Sequence, residues 1–487
     1  MDEKANPGIR RRDVVRALAA GAAVATAMDN VALAASNTRE RYAAVGVGSR
    51  SRMFQSALWG PHKAHGLLVA TCDVNPGRLD NVAARAIREG APAPRSYLAA
   101  DFEKMLREQK VDTVIVTTPD AFHDDYVVRA LDAGCNVITE KPMTTTAAKA
   151  QRILDAVKRS GRHIRVTFNY RYAPYRSQVK ELLMSGEIGD VLSVDFQWLL
   201  NTVHGADYFR RWHSSKAISG GLMVHKATHH FDLVNWWLSD MPVRVDATGK
   251  REFYTPEMAR RFGLDGPHQR CRTCPEKAEC SFFFDLAADP GLKSLYLDNE
   301  KYDGYFRDQC VWRPEIDIED TMNVIVGYAG GTTLSYSLNA FNAWEGYHIA
   351  FNGTKGRIEH SVVEQAGVAG ASGHSDEDRI KTRIIPMRGE PRDLKPRMGA
   401  AGGHGGGDAV MLADIFDPGA PKDPLLRAAD ERSGAASILV GVAANRCFET
   451  GQPVEIADLV KGLEWPDYPA MPNHKDRVPM PPRIMRG

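Results

Sequence analysis

Neither sign of charge prevails in this chain: 62 lysines and arginines face 61 aspartates and glutamates, a formal net charge of +1. No overall field gathers polyanions, so nucleic acid is excluded as a partner class. Cysteine is sparse, with seven in 487 residues, which rules out a disulfide framework of the small secreted kind. No apolar run reaches the roughly 18 residues that a spanning helix needs, so stable membrane insertion is not expected. What remains is ordinary globular composition, 43% hydrophobic and 25% charged, at a length that suits two or three domains with full cores.

The first residues differ from the rest. Arg10-Arg11-Arg12-Asp13-Val14-Val15-Arg16 leads into an alanine-rich apolar stretch, and Ala32-Leu33-Ala34 offers small residues for cleavage. Charged, apolar and small segments in that order predict a signal peptide over 1–35. The adjacent arginines and weakly apolar core suit the twin-arginine (Tat) export machinery, and so a periplasmic or otherwise exported protein, better than a Sec signal. The alternative is an amphipathic helix that stays in the cytoplasm.

A short apolar run, Tyr42-Ala43-Ala44-Val45, ends in Gly46-Val47-Gly48-Ser49-Arg50-Ser51-Arg52 ahead of a helical stretch over 53–62. Strand, glycine turn and helix stand in the order of a dinucleotide-binding unit. Gly46 permits the tight turn, and Gly48 lets backbone approach a pyrophosphate at the helix N-terminus. Ser51 replaces the usual third glycine. A second strand, 67–72, ends in Asp73, 25 residues after Gly48. A carboxylate there can accept from ribose hydroxyls and repels a 2'-phosphate, which favours NAD over NADP, although Arg50, Arg52 or Arg78 could reverse the preference. The chain then alternates: helix 101–109, strand 111–116, helix 121–133, strand 136–139, helix 144–160, strand 163–168. That rhythm predicts a doubly wound parallel sheet of α/β class, with ligands at the carboxyl ends of the strands, where Thr117-Thr118-Pro119-Asp120-Ala121-Phe122-His123 and Glu140-Lys141-Pro142-Met143 fall.

With GVGSRSR at 46–52, DVNPGR at 73–78, TTPDAFH at 117–123, EKPM at 140–143, FNYRYAP at 168–174 and GGLMVHKATHHFDLVNWW at 220–237, the chain resembles the glucose-fructose oxidoreductase, inositol dehydrogenase and MocA (Gfo/Idh/MocA) family over about 40–465. The resemblance implies an N-terminal Rossmann domain, 40–165, then an α/β domain, 166–465, with an open, mainly antiparallel sheet that often forms dimer or tetramer contacts, and a tail over 466–487. Alternating apolar stretches at 317–338 and 347–358 suit that sheet. It implies carbohydrate or polyol substrates, and a cofactor held by Gly46, Gly48, Ser49, Arg50, Asp73, Glu140 and Pro142, with Thr117, Pro119 and His123 lying along it. Lys141 would reach the reacting oxygen, where a cation lowers the energy of a developing alkoxide. His229 matches the catalytic histidine, an imidazole able to take the carbinol proton. Arg171 and Tyr170 fall where the family reads sugar hydroxyls, and His404, in a glycine-rich segment, borders the pocket in some relatives or belongs only to a flexible connector.

His225, His229 and Asp232 are spaced i, i+4, i+7, so on a continuous helix they share one face. His225 departs from the family, which often has an aspartate there; either it shares the proton relay, or Lys226 or Asp232 supplies the missing charge. Lys226, Asp232, Arg171, Tyr170 and His404 are taken together as the substrate-binding set. A cysteine-rich insertion, 251–315, carries Cys271, Cys274, Cys280 and Cys310. Such thiols with a CxxC knuckle predict a structural zinc site, with His268 as a possible fourth ligand; disulfides or an iron-sulfur cluster are the alternatives. The function expected is an exported oxidoreductase with a tightly bound nicotinamide cofactor. The rivals are a glycosidase that oxidises its sugar transiently, and a non-enzymatic sugar sensor.

Overall fold

The computed structural model describes residues 39–365, 379–399, 403–472, 477–481 and 483. The signal-peptide expectation and much of the tail lie outside these residues. No helix among the described residues is long and apolar enough to cross a membrane.

Six parallel strands, β1 (Glu40–Val45), β2 (Gly66–Asp73), β3 (Arg95–Leu98), β4 (Thr113–Val116), β5 (Asn136–Thr139) and β6 (Ile164–Val166), form one sheet in the order β3-β2-β1-β4-β5-β6. This is the doubly wound order, reversing between β1 and β4, where a crevice opens at the strand ends. Both faces are covered, so Ala43, Ala44, Val45, Val114, Ile115 and Val116 are all buried. Strand β3 and the helix Pro76–Arg88 add to the elements the sequence suggests. Asn75 caps that helix by accepting from the Gly77 and Arg78 amides, and Pro76 presets its first turn.

The second sheet has nine strands in the order β14-β13-β12-β11-β7-β10-β9-β8-β15. Its central members are β7 (Val191–Asn201), β8 (Pro242–Lys250), β9 (Thr321–Tyr328), β10 (Thr333–Asn342), β11 (Glu345–Gly353) and β12 (Gly356–Gln365); β13 (Ile380–Pro386), β14 (Arg392–Leu394) and β15 (Val454–Glu455) complete the edges. Among the described residues of this sheet only β7 and β10 pair in parallel; the remaining pairs are antiparallel. Along β7, Val194, Phe196 and Trp198 point into the core, while Asp195 and Gln197 face an open polar groove.

The apolar face is covered by the helices Thr228–Leu238 and Glu431–Thr450. The latter comes so close to the short helix Gly221–His225 that a Cβ on Gly441 would stand 2.4 Å from the Met223 carbonyl oxygen. The histidine segment beside this contact is not the continuous helix expected. The chain turns at Lys226-Ala227 between Gly221–His225 and Thr228–Leu238, so His225, His229 and Asp232 do not share one face.

Candidate active site

A cavity of 890 Å³ lies between the two domains, over the carboxyl ends of β1, β2, β4 and β5. One end is the glycine turn. Gly46 has φ +79°, and a Cβ there would stand 2.6 Å from the Thr118 amide nitrogen, so only glycine lets the β1 and β4 loops meet this closely. Thr117 Oγ1 ties them by donating to the Gly46 carbonyl at 2.5 Å. Asp73 closes the turn from β2, accepting from the Val47 amide at 2.7 Å and the Asn75 amide at 2.9 Å. Burial pushes its carboxyl up, against the pull of Arg78. The turn, the close backbone and the carboxylate fit a dinucleotide, which Gly46, Gly48, Ser49 and Asp73 would hold.

Two of the three arginines that could welcome a 2'-phosphate are engaged. Arg50 Nε meets Glu140 at 2.8 Å, and Arg78 is held by both Asp73, at 3.0 Å, and Asp303. Glu140 is fixed in turn by the Thr167 hydroxyl at 2.9 Å. Pro119 lines the cavity, and the Lys141–Pro142 peptide is cis. His123, though buried, spans the loops on either side, with Nδ1 2.8 Å from the Pro142 carbonyl and Nε2 2.9 Å from that of Thr118.

The other end carries the reactive groups. Lys141 Nζ donates to the His225 carbonyl at 3.1 Å, and burial lowers its pKa to about 8 against the opposing pull of Asp120 and Glu140. His225 Nδ1 lies 2.5 Å from Asp120 Oδ2, so imidazole and carboxyl are hydrogen-bonded. Burial pushes the Asp120 carboxyl up and the His225 imidazole down, and the Lys141 cation lowers His225 further. His229 stacks on Tyr170, with centroids 4.2 Å apart and planes 9° apart. Its Nδ1 is buried with no hydrogen-bond partner among the described residues. Burial and then Lys141 hold this imidazole neutral far below the usual histidine range. Tyr170, Lys226 and His404 also line the cavity. Lys226 Nζ sits 3.3 Å from the Tyr170 hydroxyl, and His404 Nδ1 lies 2.9 Å from the Asn169 amide and 3.0 Å from Asp408.

Three sequence expectations need correction. Arg171 and Asp232 do not reach the cavity: both are fully buried and paired with each other, Nε to Oδ2 at 2.8 Å and Nη2 to Oδ1 at 2.5 Å, because the turn after His225 aims Asp232 into the core. The charge beside His225 comes from Asp120, not from Lys226 or Asp232. The zinc expectation is not met: Cys271, Cys274, Cys280 and Cys310 line one small cavity as free thiols, yet no group of three or more candidate ligands among the described residues is placed to hold a metal. His268 has turned to Glu276, at 2.6 Å, and Cys271 Sγ accepts from Arg210 at 3.1 Å.

Sequence reasoning missed His204, Tyr208, Arg211, Trp212 and His213, all in the cavity wall. Five such residues within ten positions are a polar and aromatic density that could have flagged them. Asp120 lay inside a motif already singled out.

A parallel dinucleotide crevice joined to a cavity with a lysine and neutral histidines defines a nucleotide-dependent oxidoreductase. Residues 40–168 match the model of the oxidoreductase family's NAD-binding Rossmann fold, and residues 180–456 match that of its C-terminal alpha/beta domain. The chain belongs to the Gfo/Idh/MocA oxidoreductase family. It is similar to YteT of Bacillus subtilis (strain 168), whose own description as an oxidoreductase is provisional, with 37% identity across 85% of this chain and 97% of that protein. It is 31% identical to the inositol 2-dehydrogenase of Salmonella typhimurium, over 36% of this chain and 47% of that enzyme. The WlbA dehydrogenase of Bordetella pertussis, solved with NADH and UDP-GlcNAcA, shares the fold with a TM-score of 0.58 and 18% identity, covering 86% of this chain and 99% of that one.

Proposed function

We propose that the protein moves a hydride between a firmly held NAD and a CH–OH carbon of a sugar, polyol or derivative. The observation that carries this reading is that Lys141, His229 and the Asp120–His225 pair line the same cavity as the glycine turn and Asp73. When bound, the nicotinamide supplies the hydride acceptor. Lys141 stabilises negative charge on the substrate oxygen, and the low-dielectric wall strengthens that effect. The neutral His229 imidazole takes the hydroxyl proton, and the Asp120–His225 pair can pass a proton along the same wall. Tyr170, Lys226 and His404 offer polar groups and ring faces suited to a hydroxylated substrate. Asp73, with Arg50 and Arg78 already paired, supports NAD over NADP.

Native mass spectrometry of purified protein tests the cofactor: a retained dinucleotide is expected, and protein that neither carries nor binds one refutes the reading. Reduction of a second sugar by the retained cofactor would appear as ping-pong kinetics with a polyol and an aldose. The crowd of imidazoles from His204, His213 and His404 favours one second reading, a glycosidase that oxidises transiently; aglycone release without net NADH would identify it. Folded export through the Tat pathway belongs to the same proposal, and exchanging Arg11 and Arg12 for lysine should leave the protein in the cytoplasm. The open polar face of the nine-stranded sheet is the surface offered for a homodimer or homotetramer, which light scattering on a sizing column would measure.

A further inference from the structure

The insertion between β8 and β9 has a part that neither the chemistry nor the thiols account for. Residues 284–305 build a small core of their own, with Leu286, Leu295 and Tyr296 at its centre. This lobe does not stay with the sheet domain from which it emerges; it crosses to the first β-α-β unit of the Rossmann domain. Asn75 Nδ2 donates to the Asn299 carbonyl at 3.0 Å, and Asn81 Nδ2 to Ser294 Oγ at 3.3 Å. The Asn299 side chain occupies the space where a Cβ on Gly77 would be, so the glycine after Pro76 is what lets the lobe dock.

Tyr296, Asp303 and Tyr305 of the lobe reach the cavity, the first two at chemically telling places. The Tyr296 hydroxyl accepts from the Ser49 amide at 2.9 Å and donates to Ser49 Oγ at 3.0 Å. That amide follows the second glycine of the turn and is one of the donors such a turn aims at a diphosphate. A phenol there can swing its proton from Ser49 Oγ to an anionic oxygen without leaving the turn, and Arg307, 4.8 Å from the ring centroid, steadies the ring. At the other end, Asp303 pairs with Arg78 beside Asp73. Two carboxylates on one guanidinium leave this corner with a net negative charge, which accepts ribose hydroxyls and repels a 2'-phosphate.

We propose that this lobe is a cofactor clasp, in which Tyr296 binds the diphosphate of the dinucleotide and Asp303, by holding Arg78 against Asp73, sets the preference for the unphosphorylated adenosine ribose. The proposal rests on the reading of the cleft as a nicotinamide dinucleotide site. It assigns the insertion a role in retention and selectivity, apart from proton and hydride transfer.

The test uses the full chain and its Tyr296→Phe and Asp303→Asn variants, both of which keep side-chain shape, with thermal melting of each as a check on folding. NADH and NADPH are titrated by fluorescence, and NADH release is followed by trapping. Tyr296→Phe should speed NADH release about tenfold, the loss of one charge-assisted hydrogen bond. Asp303→Asn should tighten NADPH about tenfold relative to NADH, since a freed guanidinium can then meet the 2'-phosphate. If the parent binds NADH and both variants match it in release rate and in NADH-to-NADPH ratio, the clasp is overturned while the dinucleotide reading stands. If the parent binds neither nucleotide, both fall together.

Discussion

Replacing Asp120 by asparagine keeps the outline of the side chain and removes a carboxylate from beside His225 and Lys141. Burial has already brought the Lys141 pKa down to about 8, and Asp120 is the largest influence holding it that high. A nearby opposite charge is worth about one to three pKa units, so a fall of about one and a half units is expected. At about pH 7.5 the protonated fraction of Lys141 would drop from about three-quarters to about one-tenth, and a rate that needs the ammonium would drop roughly eightfold. The sign follows from the depressed pKa: the lysine loses its proton as pH rises through 8, so the alkaline limb of the rate profile should move to lower pH in Asp120→Asn. Reductive methylation with ¹³C-formaldehyde, followed by NMR titration of the Lys141 signal, measures this without a known substrate. An unchanged Lys141 titration would refute the argument, because it would mean that Asp120 carries no charge and that its bond to His225 holds the proton on the carboxyl.

Lys141→Ala should lower kcat/KM by roughly 10²–10³ while NADH binding, read by fluorescence, stays within about twofold; a loss of binding instead would make Lys141 a cofactor residue. Because burial holds His225 and His229 below the ordinary histidine range, the acid limb of polyol oxidation should lie below pH 6.5, with the neutral bases intact above it; a pH-rate profile with its half-point at about 6.5 would contradict this. Arg171→Met strands the Asp232 carboxylate in the core and should cost about 3–5 kcal/mol in denaturant unfolding, with Arg171→Met/Asp232→Leu costing less than the single change; a cost under about 1 kcal/mol would mean the pair is dispensable. Gly46→Ala drives a Cβ into the Thr118 backbone at a positive φ and should abolish detectable NADH binding, at a stability cost of about 1–3 kcal/mol.

The parallel sheet was legible because each of its units repeats one short rhythm, a fully apolar strand followed by an amphipathic helix, and because Gly46, Gly48 and Asp73 need only their spacing to be read. The open second sheet was legible in part, from the alternation across β9 to β12. The active-site wiring was not. His225 and Asp120 stand 105 residues apart, and no local pattern announces that they meet. The histidine helix breaks at Lys226-Ala227 while Leu222, Val224, Ala227 and Phe231 keep up an unbroken apolar pattern through the turn. Arg171 looks like a substrate ligand in sequence, since nothing local announces that Asp232 neutralises it. Four thiols with one CxxC knuckle suggested ligation, but Cys271 meets Arg210 and His268 meets Glu276, which no spacing rule includes.

The helix Glu431–Thr450 also decides when the active site can exist. It packs against β6 and the helix Ala147–Ser160 of the Rossmann domain as well as against β8 of the sheet domain, and Ala429 just before it bridges to Val166. A Cβ on Gly434 would stand 2.8 Å from Met143 Sδ, next to the Lys141 loop. The glycine turn is synthesised first, yet the segment that braces it against the histidines leaves the ribosome nearly four hundred residues later. A nascent chain therefore has no finished cavity until that helix has emerged, and the two domains should melt as one calorimetric unit instead of two.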